Sequence, residues 1–466
     1  MTDELRPRLN AQRDLWLLTA LFLMARVMVA FWFTPVYSEF RAFFFGFAAL
    51  SDVDAYPFLD YWLEYPPIVP WVSVGVYKLV TLATGPLSAG AGPELITSVQ
   101  GWYGIAMQML MAVFDAGNLV LVYLIVREKR GAPLAVRAAW MYALLFYPML
   151  VAGSYFDGFV LFWLLLAIWL FLREHEFGSA AALAVGVLAK VIPVIFLPVA
   201  LKYLKGWHRR AGYGIVFTAV VAAGLAPFLM MRPAVLGRGL QAMAMRRPWE
   251  TVWALTEGYH GYGVVGPEVG RTTPGQRARW RSKAGPRVAG LVASMEDAYR
   301  RRGQDVQSSR ILSRFSSDLS FIETSRYKTL YAVMAVPFLL LLAVLLWKGR
   351  GERAVENVLT FSLAALCIFL LYSKGWSPQF VVYPMALCLL ALGPYAGPLS
   401  AMLLGAVTYV EMPLWLIWPS LFGGRGGDLL LTFAVSARTV VLLYILVRCA
   451  LRLGRRARVP AGPSGA

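Results

Sequence analysis

Histidine and cysteine are scarce in this chain, with three of each among 466 residues. Cys367, Cys388 and Cys449 all lie in apolar segments without CxxC spacing, which argues against a disulfide framework and against a cysteine metal site. His175 and His208 sit in charged stretches between apolar runs, so no zinc site is expected from histidine either. Charge is also scarce. Charged residues make up 15% of the chain and hydrophobic ones 59%, whereas soluble domains carry about 25% and 45–50%. With a mean hydropathy of +0.60, that balance excludes a soluble globular protein. Acids are the rarer sign, 26 against 44 Lys and Arg, for a formal net charge of +18. In a soluble chain such an excess would point to nucleic acid. Here much of it sits in short loops between apolar runs, which is how helices are oriented in a bilayer, so no nucleic-acid partner is expected. No internal repeat is visible, and no small-residue cleavage site follows the first apolar run, which Arg26 interrupts. That run therefore reads as a retained helix and not a removed signal peptide.

What is present is a series of apolar runs long enough to cross a membrane, as at 15–34, 102–126, 212–231, 327–347 and 428–447. Arg6, Arg8 and Arg13 put the N-terminus in the cytoplasm, and 35–101 then lies outside. The next basic loop, 127–137, is cytoplasmic only if one span separates it from residue 35. The run 102–126 supplies that span, and 66–84, weakened by Pro66, Pro67, Pro70 and Lys78, lies in the outer leaflet. The run 179–205 holds Lys190 and Pro193 at its middle and basic residues beyond, so it is expected to turn back there as two short helices. Continuing the alternation gives an all-α polytopic membrane protein of about twelve crossings, with in-plane helices on the outer face and both termini cytoplasmic. Its organisation reads as a cytoplasmic N-terminus (1–14), a membrane module (15–231), a long extracytoplasmic loop (232–326), C-terminal helices (327–448) and a basic tail (449–466) whose last eight residues are expected to be disordered.

Carboxylates gather just after the first run: Glu39, Asp52, Asp54, Asp60 and Glu64, flanked by Tyr37, Tyr56, Tyr61, Trp62 and Tyr65. A carboxylate beside an acceptor hydroxyl can act as a general base, and a pair can hold a divalent ion; the alternative is that they solvate an outer loop and cap its helices. Asp157 ends GSYFD at a helix start and can cap it or bind substrate. Asp115 lies inside a span and needs a partner such as an arginine. Lys190, about eleven residues from either basic end, suits a phosphate at a broken helix or an ion pair with Asp115 or Asp157. Arg246, Arg247 and Lys374 belong to the same outer face and with Lys190 would form a basic pocket. Trp376 can stack on a sugar or sit in the interfacial aromatic belt. For most of the cations between Arg271 and Arg314 a solvated or lipid-facing surface is expected.

Four strings, in order along roughly residues 15–395, carry a resemblance: YSEF (37–40), DYWLEYPP (60–67), FDGF (156–159) with KVIP (190–193), and WSPQF (376–380) followed by Pro384. Together they resemble the GT-C glycosyltransferases, and most nearly the bacterial branch that uses polyprenyl-phosphate-mannose. The resemblance implies transfer of a hexose, mannose by the family's commonest donor, from a polyprenyl phosphate to a lipid or glycan acceptor on the extracytoplasmic face of the plasma membrane, with inversion. It also implies that the base is Glu39, where the family usually has aspartate. Because that is a departure, Asp52 and Asp54 stay open as bases. Lys190, Arg246, Arg247 and Lys374 would hold the donor phosphate, and Asp60, Glu64, Tyr65, Asp157, Trp376 and Gln379 would contact sugar or acceptor. No cofactor and no obligatory metal is expected. A transporter or flippase of lipid-linked saccharides, an oligosaccharide polymerase or ligase, and a non-catalytic scaffold are the rival readings. A transporter would place ionisable residues near the bilayer midplane within paired halves, a pattern this chain lacks.

Overall fold

The computed structural model describes residues 5–32, 38–261, 274–302, 308–316, 319–325, 328–348, 354–416 and 424–456. Tyr37, the Arg271 end of the basic stretch, residues 349–353 and the tail from 457 lie outside them. Among the described residues there are helices and three isolated β-bridges but no strand, so the all-α membrane architecture expected from composition holds. Among the described residues five helices are long and apolar enough to cross a bilayer, or six if one bent pair is a single span, and six shorter apolar helices accompany them.

The first span, α1 (Leu5–Trp32), leads to an outer segment of three successive short turns: a π-helix Phe40–Phe44, α2 (Phe45–Ala49) and a 3-10 turn Leu50–Val53. The prolines of DYWLEYPPI then open a helix. Pro67 is the N-cap of α3 (Ile68–Thr84) and Pro70 lies in its first turn, where backbone N–H groups have no intrahelical acceptor anyway. At 17 residues α3 is a shorter apolar helix rather than a full-length span, packed on α2 and the next helix. That next helix, α4 (Pro93–Arg130), is the hub: its 38 residues reach about 57 Å, well beyond the roughly 30 Å hydrocarbon layer. It packs against α1 and α3, and against the later helices that begin at Ala132, Phe146, Asp157, Pro286, Val355 and Val382. Asp115 inside it meets Arg26 of α1 at 3.2 Å and the Tyr142 hydroxyl at 2.7 Å, the partners a buried aspartate needs.

The expected span near 136–152 is a bent pair, α5 (Ala132–Leu144) and α6 (Phe146–Ser154), kinked by 55°. Pro148 accounts for the break: it has no N–H to donate to Leu144, so Leu145 turns extended at φ −68°, ψ 131°. Asp157 starts α7 (Asp157–Leu172), which packs along α8 (Glu176–Ala189). The break expected at Lys190 is there. Lys190 is extended (φ −160°, ψ 142°), and a 3-10 turn Ile192–Ile195 leads into α9 (Phe196–Tyr203). The span α10 (Trp207–Met231) delivers the long segment of residues 232–326, which contains α11 (Pro233–Met245), α12 (Val252–Thr256), α13 (Pro274–Lys283), α14 (Pro286–Arg301) and α15 (Ser308–Ser313). α14 lies on the first part of α4, where Gln100 donates to Arg41 O at 2.9 Å and Arg302 donates back to Gln100 at 2.7 Å.

The C-terminal helices are α16 (Lys328–Lys348), α17 (Val355–Tyr372), α18 (Val382–Ala391), α19 (Ala396–Tyr409) and α20 (Arg425–Arg456). WSPQF forms the 3-10 turn Pro378–Val381 that starts α18, with Gln379 buried in it.

Candidate functional site

The turn after α1 and the proline-rich loop are locked together by acid and phenol. Glu39 begins the Phe40–Phe44 turn without using its side chain as a cap. That carboxylate instead accepts the Tyr65 hydroxyl at 2.5 Å through Oε1, while Oε2 is buried with no hydrogen-bond partner among the described residues. Tyr65 is held by rings, its centroid 5.0 Å from Phe156 and 5.5 Å from Phe44. Burial drives the Glu39 carboxyl up to about 7; the Tyr65 hydrogen bond and the Lys190 charge oppose this, and Asp157 and Glu64 add to it. Those influences locate the neighbours of Glu39.

Lys190 is freed from helical geometry by the break at the end of α8, and its ammonium donates to Asp157 Oδ1 at 2.7 Å. The Tyr383 hydroxyl donates to the same oxygen at 2.7 Å, which leaves Oδ2 buried and without a hydrogen-bond partner among the described residues. The ammonium also lies 4.3 Å from the Phe380 ring centroid and 5.0 Å from that of Phe156. Of the two pairings open to Lys190, the structure takes Asp157.

Glu64 faces two guanidiniums, Arg246 at 3.6 Å and Arg314 at 3.8 Å. Each arginine is stacked on an indole, Arg246 at 3.4 Å from Trp249 and Arg314 at 3.9 Å from Trp62. Burial lowers both guanidiniums from their usual range, Arg314 to about 10, and the charge of Glu64 works against it. At about 10, Arg314 stays cationic at neutral pH. Glu39, Tyr65, Glu64, Lys190, Asp157, Arg246 and Arg314 thus form one neighbourhood of three carboxylates, three cations and a phenol.

Arg314 was not singled out in the sequence, where a solvated or lipid-facing surface is expected for most of the cations between Arg271 and Arg314. It is 1% exposed. Its flanks, Ile311, Leu312 and Phe315, are the signal that sets it apart from the exposed arginines upstream.

Other expected site residues stand elsewhere. Asp52 is fully engaged, accepting from Tyr77 at 2.5 Å, Lys78 at 2.6 Å and the Leu87 amide at 2.7 Å, so it braces α3 against the outer turns. Asp54 is exposed in a left-handed conformation (φ 59°), and exposed Asp60 accepts the Tyr56 amide at 2.8 Å within its own loop. Arg247 is paired with Glu323 at 3.0 Å and Glu257 at 3.7 Å, which neutralises it. Lys374 donates to the carbonyls of Ala244 at 2.9 Å and Arg246 at 3.0 Å, a clamp on the end of α11. Trp376 is 1% exposed, between Phe380 and the guanidinium of Arg438. Arg438 in turn pairs with Glu411 and donates to Glu250 O, a buried junction that sequence reasoning missed because its members come from distant segments.

Gly375 makes the WSPQF end of the site possible. A β-carbon there would overlap the outer end of the Trp249 indole; Trp249 N donates to Lys374 O and Trp376 N to Trp249 O, both at 3.1 Å. Among the described residues no three His, Cys, Asp or Glu side chains converge as metal ligands would.

No protein-family model matches the chain, and no curated protein is similar to it in sequence. Among solved structures it is similar to the oligosaccharyltransferase of Archaeoglobus fulgidus, crystallised as a complex with zinc and sulfate, at 11% identity and a TM-score of 0.38. That likeness covers 94% of this chain and 53% of the archaeal one, so this chain spans about half its length.

Proposed function

We propose that the chain is an integral-membrane glycosyltransferase. It moves a hexose, mannose in the first instance, from a polyprenyl-phosphate donor to a lipid or glycan acceptor on the extracytoplasmic face. The observation that carries this reading is Glu39: a buried carboxyl held up to about 7, with one oxygen fixed by Tyr65 and the other without a hydrogen-bond partner among the described residues, beside buried cations. A base that is half ionised near neutrality suits proton abstraction from a hydroxyl. The motif order from YSEF to WSPQF supports the same reading.

In this mechanism Glu39 Oε2 takes the acceptor's hydroxyl proton as the acceptor oxygen forms its bond to the anomeric carbon. The bond from that carbon to the phosphate oxygen breaks on the opposite face, and the lipid phosphate leaves with the electron pair. Lys190, Arg246 and Arg314 meet the phosphate charge as it grows, in a site where burial strengthens the attraction. Asp157 Oδ2 and Glu64 are the acceptors for sugar hydroxyls. Arg247, Lys374 and Asp52 support the frame that holds these groups, and no cofactor takes part.

The test is a membrane assay with radiolabelled polyprenyl-phosphate-mannose and a panel of lipid and glycan acceptors. Wild type is expected to transfer label, and Glu39→Gln to lose about 10²–10⁴-fold, the usual worth of a general base. Transfer that survives Glu39→Gln removes Glu39 as base. No transfer with any polyprenyl-phosphate sugar, together with ion-coupled saccharide uptake, replaces the proposal with a transporter.

A further inference from the structure

Arg41 follows Glu39 by two residues, yet its side chain turns away from Tyr65 and lies on α4 at Gly104. Gly104 makes the place for it: a β-carbon there would stand 2.1 Å from Arg41 Nε, 2.9 Å from Cγ and 3.0 Å from Cδ. One buried glutamine, a turn earlier on α4, ties this arginine to a second. Gln100 Nε2 donates to Arg41 O at 2.9 Å and to the Tyr299 hydroxyl at 2.8 Å, while Gln100 Oε1 accepts from Arg302 at 2.7 Å. Arg302 stands at the end of α14.

The two guanidiniums are electrostatic neighbours. Burial pulls Arg41 below its usual range, and the charge of Arg302 adds to that. Arg41 Nε is buried with no hydrogen-bond partner among the described residues. The arginines just before Arg302 meet acids, Arg300 with Glu296 at 4.0 Å and Arg301 with Asp297 at 2.7 Å. No such ion pair is seen for Arg302 or Arg41 among the described residues. A merely solvated arginine gains nothing from a niche in a helix beside a second cation, and would swing out to water. An anion shared by the two guanidiniums accounts for the arrangement, since each fork can give two parallel N–H···O bonds to a phosphate.

Their height on α4 indicates which anion. Leu95, Trp102 and Val113 are exposed and, spaced by about two and three turns, form one apolar stripe along the helix. Such a stripe faces lipid, and its tryptophan, 52% exposed, marks the interfacial level. Trp102 falls between Gln100 and Gly104 on the other side of the helix, so Arg41 and Arg302 stand at the depth of lipid phosphates.

We propose that Arg41 and Arg302 bind the phosphate of a net-anionic lipid at the membrane surface that carries the Glu39 site. The site does not depend on the sugar transfer proposed above. Gln100 sets the spacing of the two arginines, and Gly104 sets the direction of one.

The full chain in detergent is assayed for binding of radiolabelled dioleoyl phosphatidylglycerol. Unlabelled phosphatidylglycerol, phosphatidylcholine and inorganic phosphate are the competitors, at constant ionic strength. Phosphatidylglycerol is expected to compete about tenfold better than phosphatidylcholine, and Arg41→Gln and Arg302→Gln each to weaken labelled binding by about tenfold. Gly104→Ala keeps both arginines but drives the Arg41 side chain out of its niche, so it is expected to weaken binding similarly in a protein whose thermal unfolding is still cooperative. Arg301→Gln removes the same charge one residue away and is expected to leave binding as it is. Equal loss in Arg301→Gln and Arg302→Gln reduces the effect to surface charge and overturns the proposal, as does a folded Gly104→Ala protein that binds like wild type. Displacement by inorganic phosphate as readily as by phosphatidylglycerol assigns the site to free phosphate instead, whereas retention assigns it to the lipid.

Discussion

Tyr65 donates its phenol hydrogen to Glu39 at 2.5 Å, and this bond ties the proline-rich loop to the turn after the first helix. It also sets the acidity of the base. Burial raises the Glu39 carboxyl and the bond opposes that rise, with the balance at about 7. Transfer by wild type is therefore expected to rise with pH along a limb centred near 7. Tyr65→Phe keeps the ring packing and removes the bond, so the limb moves to higher pH. On the acid side each unit of displacement lowers the rate about tenfold. Profiles of transfer rate against pH for the two proteins check this; a limb in the ordinary carboxylate range, or one that Tyr65→Phe leaves in place, sinks it.

The same group links pH to stability. Folded Glu39 holds its proton more tightly than the unfolded chain does, so stability falls as pH rises from about 4.5 to about 7, by roughly 3 kcal/mol. Glu39→Gln is expected to flatten that decline in thermal unfolding of the detergent-solubilised protein, with wild type losing Tm across the interval.

Much of this was legible in the chain, for reasons that can be named. Spans such as α4 and α10 are visible because lipid selects long apolar runs. The break at Lys190 is visible because an ammonium and Pro193 interrupt one. Glu39, Tyr65, Asp157 and Lys190 stand in short strings whose order survives on its own. What sequence could not supply was partnership. Arg247 and Lys374 carry the right charge for a phosphate, yet Glu323, Glu257 and backbone carbonyls occupy them. Glu411 and Arg438 lie on separate helices, and only the fold brings them together. Arg314 was hidden among exposed arginines, although its apolar flanks mark it.

Lys190 and Asp157 are buried, at 8% and 0% exposed, so removing one charge strands the other. Lys190→Met is expected to cost roughly 3–5 kcal/mol for that reason. The double variant Lys190→Met/Asp157→Asn removes both charges and is expected to recover most of the thermal stability while transfer stays lost. Recovery of transfer along with stability would reduce the pair to a structural strut.

Glu64 holds Arg246 and Arg314 before any donor arrives. Glu64→Gln releases both guanidiniums for the phosphate, so the donor KM is expected to fall several-fold. Arg246→Gln and Arg314→Gln are expected to raise it by about tenfold or more, the worth of a hydrogen bond to a charged group. Steady-state kinetics with varied donor separate these outcomes. A donor KM that rises in Glu64→Gln as well would make Glu64 a sugar contact only.

Gly375 offers a test of positioning at a distance from the reacting groups. A methyl on it overlaps the Trp249 indole, and that indole carries the Arg246 guanidinium at 3.4 Å. The ring has no flexible end to give way, so Gly375→Ala must move Trp249 and Arg246 together, with an overpacking cost of about 1–3 kcal/mol. The donor KM is expected to rise as it does in Arg246→Gln, while the pH limb set by Glu39 and Tyr65 stays where it was. A shifted limb would mean that the substitution disturbs the whole outer layer and not the Trp249–Arg246 stack. An unchanged KM would mean that Arg246 does not meet the donor.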